Sequence, residues 1–427
     1  MLGLGLGLAL GVPACGSSAK PATAPSPASS ATPTSGTTSS NAGTSTTTAT
    51  QAGAATQAGP ATQAGTATTG TTATTGTTAT TGTTATIGTT ATTGTTATTA
   101  AAAAAEPPAP LAPGITEIKL PGADGGVFLD YLAYDPKQHR VWVPAGGTGR
   151  VDVIDAKTGA LTPIENWPTK EVERRGRKMQ VGPSAATVGD GIVFIGNRGD
   201  SSVCAVDAKS LTKRGCVTLD SSPDGLAWIA STKEVWVTTP RDKKIQIVDA
   251  KNASALKVVG AVSFEGEPEG FAVDNKRKVF FTNLEDADKT VVVDIAKRAV
   301  TKTWEPKCGE DGPKGLVFDG AANHLLVVCP AWIEVLDAGK DGAQMSKLDV
   351  GDGLDAVDWT PGKRLVVAAA GRAGKLVVAS LPATGTLQEV SSLPTAKGAR
   401  NAVASEDGSA FVADGPAGRI LMVPAKK

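Results

Sequence analysis

Histidine, tyrosine and methionine are scarce in this chain, whose 427 residues contain two His, two Tyr and four Met. Both histidines, His139 and His324, fall in polar turns between short apolar runs, where we expect solvated side chains. Two such histidines cannot supply a Ser-His-Asp triad or a His-rich metal site. An enzyme built on this sequence would need carboxylates, lysine or a metal held by acidic groups.

Charge is nearly absent from the first 105 residues, in which Lys20 is the one charged side chain. All 41 acidic residues and the other 40 basic residues follow Ala105, so the remainder carries about one net negative charge. A domain that is close to neutral has no general electrostatic attraction to nucleic acid or anionic lipid. Nucleic acid is therefore not an expected partner.

The amino terminus is an apolar run that is too short to cross a bilayer but has the length of a signal-peptide core. Val12-Pro13-Ala14-Cys15 resembles the bacterial lipobox, in which small residues precede a cysteine that is lipidated. The resemblance implies a signal peptide over residues 1–14 and a lipid on Cys15. We expect an exported protein, anchored in the bilayer at the periplasmic face or the cell surface of a bacterium. The alternative is a plain secretory signal with a chance cysteine.

Residues 15–110 consist almost entirely of Ala, Thr, Ser, Gly and Pro after the cysteine, and a hexad close to Ala-Thr-Thr-Gly-Thr-Thr repeats from Thr66 to Thr99. The first aromatic residue is Phe128, so this segment has nothing with which to offset the entropy of ordering. The composition predicts a disordered low-complexity stalk with an r.m.s. span on the order of 50–60 Å. Such tracts can also carry O-linked sugars.

Residues 111–427 contain seven copies of a repeat. Pro223-Asp224-Gly225-Leu226-Ala227 is one copy of its opening phrase, and the seven phrases end at residues 133, 187, 227, 272, 317, 357 and 403. Each phrase is followed by short β-branched or aromatic runs, such as Val235-Trp236-Val237, that are bounded by turn residues. Four short strands per ~45 residues, seven times over, predict an all-β fold: a seven-bladed β-propeller of four-stranded antiparallel blades.

The last repeat ends after its third strand, whereas a strand-like segment, residues 115–120, precedes the first repeat. We expect this segment to supply the outer strand of blade 7 and so to close the ring.

Several of these runs resemble the YVTN-type β-propeller repeat, in particular Val279-Phe280-Phe281-Thr282-Asn283 and Val248-Asp249-Ala250. The resemblance covers about residues 115–427. It implies the fold but not one function, because propellers of this type include surface-layer proteins, lyases and DNA-binding proteins.

The four cysteines other than Cys15 form an even set, which fits an oxidising compartment. Pairing Val206 with Arg214 across a turn places Cys204 opposite Cys216 on successive strands. Cys308 and Cys329 fall in loops that open on the same face of a propeller. We predict the disulfides 204–216 and 308–329, with free core cysteines as the alternative.

Propeller ligands usually bind where the loops that enter the innermost strands converge on the channel. Counting three residues back from the end of each opening phrase gives a ring of mostly charged residues, with Leu354 as its one apolar member, and Asp355 beside it. The candidate ligand site at this mouth is Asp130, Asp224, Glu269, Lys314, Asp355 and Arg400. Its charges could hold a zwitterion or a calcium ion, although no cofactor is required. The alternative is a set of solvated loop charges.

The longest inter-blade segment is a charged loop over residues 165–183, whose stretch 170–178 carries five basic and two acidic residues. The candidate partner-binding residues in it are Arg174, Arg175, Arg177 and Lys178. They suit an anionic polymer or protein, but no aromatic residues interleave with them as single-stranded nucleic acid would require. The alternative is a solvated loop.

The sequence favours a non-enzymatic, membrane-tethered, monomeric binding scaffold for a protein or a cell-envelope polymer. The alternative is a propeller enzyme, either a lyase or a calcium-dependent hydrolase similar to lactonases, that uses the acidic residues at the mouth.

Overall fold

The computed structural model of the protein describes residues 111–425 apart from Arg175. Within these residues, seven four-stranded antiparallel sheets and one two-stranded hairpin account for all the β-strands. The signal peptide, Cys15 and the stalk lie outside the described residues.

The first two blades and the hairpin between them contain strands β2 to β11. Blade 1 consists of β2 (Ala133–Asp135), β3 (Arg140–Pro144), β4 (Val151–Asp155) and β5 (Leu161–Ile164). The hairpin is β6 (Lys170–Arg174) and β7 (Arg177–Val181). Blade 2 consists of β8 (Pro183–Gly189), β9 (Ile192–Asn197), β10 (Ser202–Asp207) and β11 (Lys213–Thr218).

The next three blades follow without insertions. Blade 3 is β12 (Leu226–Ile229), β13 (Glu234–Thr239), β14 (Lys244–Asp249) and β15 (Lys257–Ser263). Blade 4 is β16 (Pro268–Asp274), β17 (Val279–Leu284), β18 (Lys289–Asp294) and β19 (Ala299–Trp304). Blade 5 is β20 (Leu316–Asp319), β21 (His324–Val328), β22 (Trp332–Asp337) and β23 (Ala343–Asp349).

The last two blades include the closure of the ring. Blade 6 is β24 (Val357–Thr360), β25 (Leu365–Ala370), β26 (Lys375–Ser380) and β27 (Gln388–Pro394). Blade 7 is β28 (Ala402–Ala404), β29 (Ala410–Asp414), β30 (Arg419–Val423) and, as its outer strand, β1 (Thr116–Lys119). Single turns of 3₁₀ helix lie at Gly146–Thr148, Pro240–Asp242, Glu285–Ala287 and Gly415–Ala417.

Strand β1 closes the ring as the sequence predicts. It pairs antiparallel with β30, with Ile118 opposite Ile420. The innermost strands of neighbouring blades pack against each other all the way round, including β28 of blade 7 against β2 of blade 1. The prediction of seven blades and of their closing strand is confirmed.

The hydrophobic core is divided among the interfaces between blades. Seven clusters of buried side chains each combine residues of two neighbouring blades. In β3, for example, Trp142 packs towards blade 2, whereas Val141 and Val143 pack towards blade 7. Middle strands therefore bury both faces, which is why they form continuous apolar runs instead of alternating with polar residues.

The loops divide between two faces of the ring. We call the face where the innermost strands begin the mouth, and the opposite face the rear. The loops from second to third strands, such as that between β9 and β10, also open at the mouth. The turns from first to second and from third to fourth strands open at the rear.

Three details of the sequence interpretation are wrong. In blade 6, Asp358 pairs with Val367, so the position equivalent to Ala133 and Ala227 is Asp358 rather than Val357. Leu354, counted into the mouth ring, is a core residue that is 3% exposed, and Asp355 takes its place in the repeat.

The other two corrections concern a turn and a histidine. A bulge in β10 and β11 pairs Val206 with Lys213 rather than Arg214. His324 begins β21 and is buried, whereas the sequence suggested a solvated turn.

Candidate functional site

The mouth of the channel brings together the candidate ligand residues. Asp130, Asp224, Lys314, Asp355 and Arg400 lie in the segments that lead into the innermost strands, and Glu269 is the second residue of β16. The six side chains are close enough to perturb one another electrostatically. Below them, a cavity of about 160 Å³ continues along the channel between Tyr131, Phe271 and Asn401.

Arg198 is the central cation of this site, and the sequence interpretation missed it. It follows β9, in the loop that opens at the mouth. Its Nη2 atom donates to Asp130 Oδ2 at 2.8 Å and also to Asp224, and its Nε atom donates to the Pro223 carbonyl at 3.2 Å. One guanidinium thus joins carboxylates from blades 1 and 3 through a loop of blade 2.

The mouth contains two further ion pairs besides those of Arg198. Arg400 Nη1 lies 3.1 Å from Asp355 Oδ2, and Lys314 pairs with Glu285 in the loop after β17. The ring of Phe128 contacts both arginines of the mouth. The guanidinium carbons of Arg198 and Arg400 lie 5.0 and 5.6 Å from its centroid. Phe128 and Glu285 were also missed by the sequence interpretation.

Burial shifts the protonation of the carboxyl groups at the mouth. Desolvation raises the pKa of Asp130 from 3.8 to about 7, with Arg198 acting against the shift and Asp224 adding to it. Desolvation and the neighbouring carboxylates Asp224 and Asp130 also raise the pKa of Glu269 well above its usual value. Asp130 and Glu269 therefore keep a carboxyl proton to a higher pH than exposed carboxyl groups do, next to arginines that stay charged.

Some buried polar atoms at the mouth make no hydrogen bond within the described part of the chain. They are Ser184 Oγ, Asp224 Oδ2 and Asn401 Oδ1. The amide of Asn401 donates instead to Asp130, both to its carbonyl at 3.2 Å and to Oδ1 at 3.4 Å. These acceptors and the carboxyl groups with raised pKa give the mouth hydrogen-bonding capacity that the protein itself leaves unused.

Calcium at the mouth stays a prediction. Among residues 111–425 other than Arg175, no three His, Cys, Asp or Glu side chains are grouped so as to hold a metal ion. Asp130, Asp224 and Asp355 instead each contact a guanidinium group. The site as folded is a network of ion pairs rather than a cage of oxygen ligands.

The charged segment before blade 2 is the hairpin β6–β7, not an irregular loop. It rises from the mouth, since the carbonyl of Pro168 accepts from Asn197 Nδ2 at 3.0 Å and that of Gly182 accepts from the amide of Arg198 at 2.9 Å. Gln180 packs against Gly147 in the neighbouring mouth loop of blade 1. The base of the hairpin is thus fixed beside the channel.

The two faces of the hairpin differ in charge. Cross-strand pairing places Val172 opposite Met179 and Arg174 opposite Arg177, and these share a face with Lys170. We call this the basic face. Glu171, Glu173 and Lys178 lie on the other face, where Lys178 Nζ pairs with Glu171 Oε1 at 2.8 Å. Of the candidate partner residues, Arg174 and Arg177 therefore lie together and form no ion pair with any other described residue. Lys178 is on the opposite face, and Arg175 lies outside the described residues.

Both predicted disulfides are present. Cys204 and Cys216 are directly opposed on β10 and β11, with Cα atoms 4.0 Å apart. Cys308 and Cys329 join the loop before β20 to the end of β21 at the mouth, with Cα atoms 5.1 Å apart. Two disulfides in one domain indicate an oxidising environment. No helix in the described part of the chain is both long and apolar enough to span a bilayer.

Fold and site together define this protein as a seven-bladed β-propeller with an ion-paired mouth. No protein-family model and no curated protein matches the chain. The resemblance to YVTN-type repeats therefore stays a prediction.

Solved structures share the fold. A chain of the mitotic checkpoint complex has a TM-score of 0.58 and 15% identity over 73% of this chain and 91% of its own. The hydrazine synthase of Kuenenia stuttgartiensis has a TM-score of 0.58 and 14% identity over 70% and 96%. The U3-55K protein has a TM-score of 0.58 and 12% identity over 74% and 100%. At such identities the likeness concerns the fold alone.

Proposed function

We propose that the protein is an extracytoplasmic binding scaffold, tethered to a membrane by a lipid on Cys15, whose mouth face binds an anionic protein or cell-envelope polymer. The stalk over residues 15–110 gives the propeller reach from the bilayer. The disulfides support an oxidising location, and the lipobox-like sequence supports the anchor.

The basic face of the hairpin is the observation that carries this proposal. Lys170, Arg174 and Arg177 are exposed, and no acidic residue shares their face. Val172 and Met179 lie between them and are half-buried. The basic face therefore has cations around a small apolar centre, and the hairpin stands outside the blades. Such a face is suited to bind a partner surface that offers carboxylates or phosphates with some apolar area.

The mouth beside the hairpin adds directional groups to the same surface. Its unpaired buried acceptors and its carboxyl groups with raised pKa can exchange hydrogen bonds with polar groups of the partner. The hairpin would then provide attraction over a distance, and the mouth would provide selectivity.

A pull-down with the propeller, residues 106–427, tests the binding surface. The variant changes Lys170, Arg174 and Arg177 to Ala. A matched control changes Lys209, Lys276 and Lys340 to Ala, since these exposed lysines lie in turns at the rear and remove the same charge. We expect the hairpin variant to lose partners that the wild type and the control both retain. Equal capture by all three proteins would contradict the proposal.

The anchor is tested separately by labelling cells with a fatty-acid analogue. We expect label on the wild type and none on the Cys15→Ala variant, which should leave the membrane fraction. A Cys15→Ala variant that stays in the membrane fraction would argue against the tether without affecting the binding surface.

A second candidate function is acid–base catalysis at the mouth, and Glu269 is the observation that favours it. A buried carboxyl with a raised pKa beside arginines is typical of sites that transfer protons. Lyase and lactone-hydrolysis assays on the wild type and the Glu269→Gln variant, with and without calcium, test this alternative. Turnover that the substitution abolishes would favour an enzyme.

A further inference from the structure

The rear end of the channel contains a second cavity, apart from the mouth and its partner surface. It has a volume of about 320 Å³ and lies where blades 6, 7 and 1 meet. Its lining includes Tyr134, Asp358, Trp359, Val403 and Glu406. This volume is within the usual range for small-molecule sites.

The repeat explains why a cavity forms at this place. Tyr134 in blade 1, Ala404 in blade 7 and Trp359 in blade 6 occupy equivalent positions, because each directly follows the residue that pairs with Trp142, Phe411 or Val367, the side chains that pack towards the next blade. A small side chain thus stands between two aromatic ones. The space that a third aromatic ring would fill is left open between them.

Trp359 offers one face of its ring to this space. Arg364 covers the ring from the side of blade 5, where its guanidinium pairs with Asp319 at 2.7 Å and lies 5.2 Å from the ring centroid. The cavity is on the side of blade 7. The Asp319 carboxylate neutralises this guanidinium, and the half-buried indole still contributes to the lining of the cavity.

Asp358 is an exception to the repeat. The equivalent residues in the other blades are uncharged: Ala133, Thr187, Ala227, Ala272, Val317 and Val403. Its Oδ2 accepts from the amide of Ala404 in blade 7 at 2.7 Å, and its Oδ1 accepts from the amide of Trp359 at 2.8 Å. Burial raises its pKa to about 6, so the group is still charged at neutral pH.

A structural role would explain the two hydrogen bonds of Asp358 but not its charge. Each carboxylate oxygen can accept further bonds, and the side chain lines both the rear cavity and the channel above it. No lysine or arginine lines the cavity. The nearest partner for a carboxylate there is His139, whose Nδ1 lies 3.6 Å from Glu406 Oε2 and 3.3 Å from the Tyr134 hydroxyl.

The donors and acceptors of the lining select among ligand classes. The hydroxyl of Thr360 donates to the Ser405 carbonyl at 3.4 Å, and that of Ser405 donates to Asp407 at 2.6 Å. Apart from the Trp359 indole N–H and the Tyr134 hydroxyl, which lies beside His139, the described lining side chains thus offer acceptors and aromatic faces. An anion would find few donors, and a sugar needs both kinds of group, whereas a cation needs acceptors and π faces alone.

We propose that the rear cavity binds an organic cation with an alkylated ammonium group. The ammonium would lie between the rings of Trp359 and Tyr134, with Asp358 and Glu406 supplying negative charge. Alkylation suits this site, because methyl groups fill the apolar space beside Val403 and need no hydrogen-bond partners. This site lies on the face opposite the mouth and does not depend on the proposed partner surface.

Calorimetric titration of the full chain tests the proposal with choline and tetramethylammonium as probes. The neutral isostere 3,3-dimethylbutanol has the shape of choline without its charge. We expect both cations to bind and the isostere to bind at least about tenfold more weakly, since only the charge is missing. Equal binding of choline and its isostere would overturn the proposal, and binding of glucose instead of choline would assign a carbohydrate site.

Three variants locate the binding. Trp359→Ala removes an aromatic face, and Asp358→Asn removes the charge while keeping the size of the side chain. Each should weaken choline binding about tenfold or more. Arg174→Ala, at the hairpin, is the control and should bind as the wild type does. Since Asp358→Asn could disturb the bond to Ala404, circular dichroism must show a folded variant. Wild-type affinity in a folded Trp359→Ala variant would also overturn the assignment.

Discussion

Arg198 neutralises two carboxylates from different blades, and all three side chains are largely buried. Replacing it with Met leaves Asp130 and Asp224 without a counter-ion in a desolvated site. We expect Arg198→Met to lower the free energy of unfolding by about 3 kcal/mol or more. Urea denaturation at pH 8 measures the loss, which should be smaller at pH 5 because the carboxyls can take up protons. A loss of the same size for the exposed Arg174→Met would contradict this interpretation.

The pH dependence of stability at the mouth has a defined sign. The pKa of Asp130 is raised from 3.8 to about 7 by folding, so between these pH values the folded state binds a proton that the unfolded state has released. Its contribution to stability is therefore largest at low pH and is lost as the pH rises through about 7. Asp130→Asn removes this dependence.

Denaturant unfolding at pH 5 and pH 8 tests that sign. The stability of Asp130→Asn relative to the wild type should be more favourable at pH 8 than at pH 5. A difference that stays constant, or that changes in the opposite direction, would show that Asp130 does not titrate in this window.

The sequence could predict the positions of Asp130, Asp224 and Glu269 because each stands at a fixed distance from a recurring apolar phrase. Arg198 and Phe128 could not be found in this way, since they lie in loops that the repeat leaves variable. The register in blade 6 was also misjudged. The repeat there carries Asp358 where the other blades have Ala, Val or Thr, and an alignment by apolar residues selected the neighbouring Val357.

Strand β1 closes the ring and packs against blade 7 through one buried side chain, that of Ile118. Ile118 is 7% exposed and packs with Phe411 and Ile420 of blade 7. Ile118→Asp should lower the free energy of unfolding by about 3 kcal/mol, because it buries an unpaired charge and removes apolar contacts. Thermal unfolding measures the effect. Lys119→Asp is the control at the exposed neighbouring position, and a similar loss there would contradict the prediction.

The two disulfides close loops of different length, with sequence separations of 12 for Cys204–Cys216 and 21 for Cys308–Cys329. Replacing both cysteines of a pair with Ala should destabilise the protein by about 2–4 kcal/mol. The loss for the longer loop should be larger by about 0.5 kcal/mol, as chain entropy predicts. Calorimetry of the two double variants, each compared with wild type in which both disulfides are formed, checks the order. A larger loss for Cys204–Cys216 would show that the entropy of the unfolded chain does not dominate.

The hairpin β6–β7 shows where sequence patterns fail for an element. Its strands contain Lys and Glu, residues that are depleted in strands, and only two β-branched residues, Val172 and Val181. The composition therefore indicated a loop. The hairpin is stable in spite of this composition, because Val172 pairs with Met179 and both ends of the hairpin are anchored at the mouth.

The division of the core among seven interfaces makes the ring a single cooperative unit. Each blade shares buried side chains with both neighbours, so the loss of one blade exposes two interfaces. A chain that ends at Pro394 lacks blade 7 except for β1, and we expect it to show no cooperative thermal transition. Residues 106–427 should unfold in one transition by calorimetry. A cooperative transition in the truncated chain would contradict this account.

The architecture as a whole was the most predictable level. The repeat pattern predicts a closed ring of seven blades without knowledge of any single contact. It consists of seven similar phrases, a last repeat with three strands and an additional strand before the first repeat. The rear cavity was not predictable from the sequence. It arises because blade 7 has the small residue Ala404 at the position where its neighbours have Tyr134 and Trp359.

The pairing of β1 with β30 also has a mechanical consequence. The chain enters the propeller through Leu111 and Ile115, which pack against blade 7, and continues directly into β1. Any tension on the upstream segment is transmitted to this edge strand first. Since β1 pairs along one side only, the strand that completes the ring is also where a pulling force would open it.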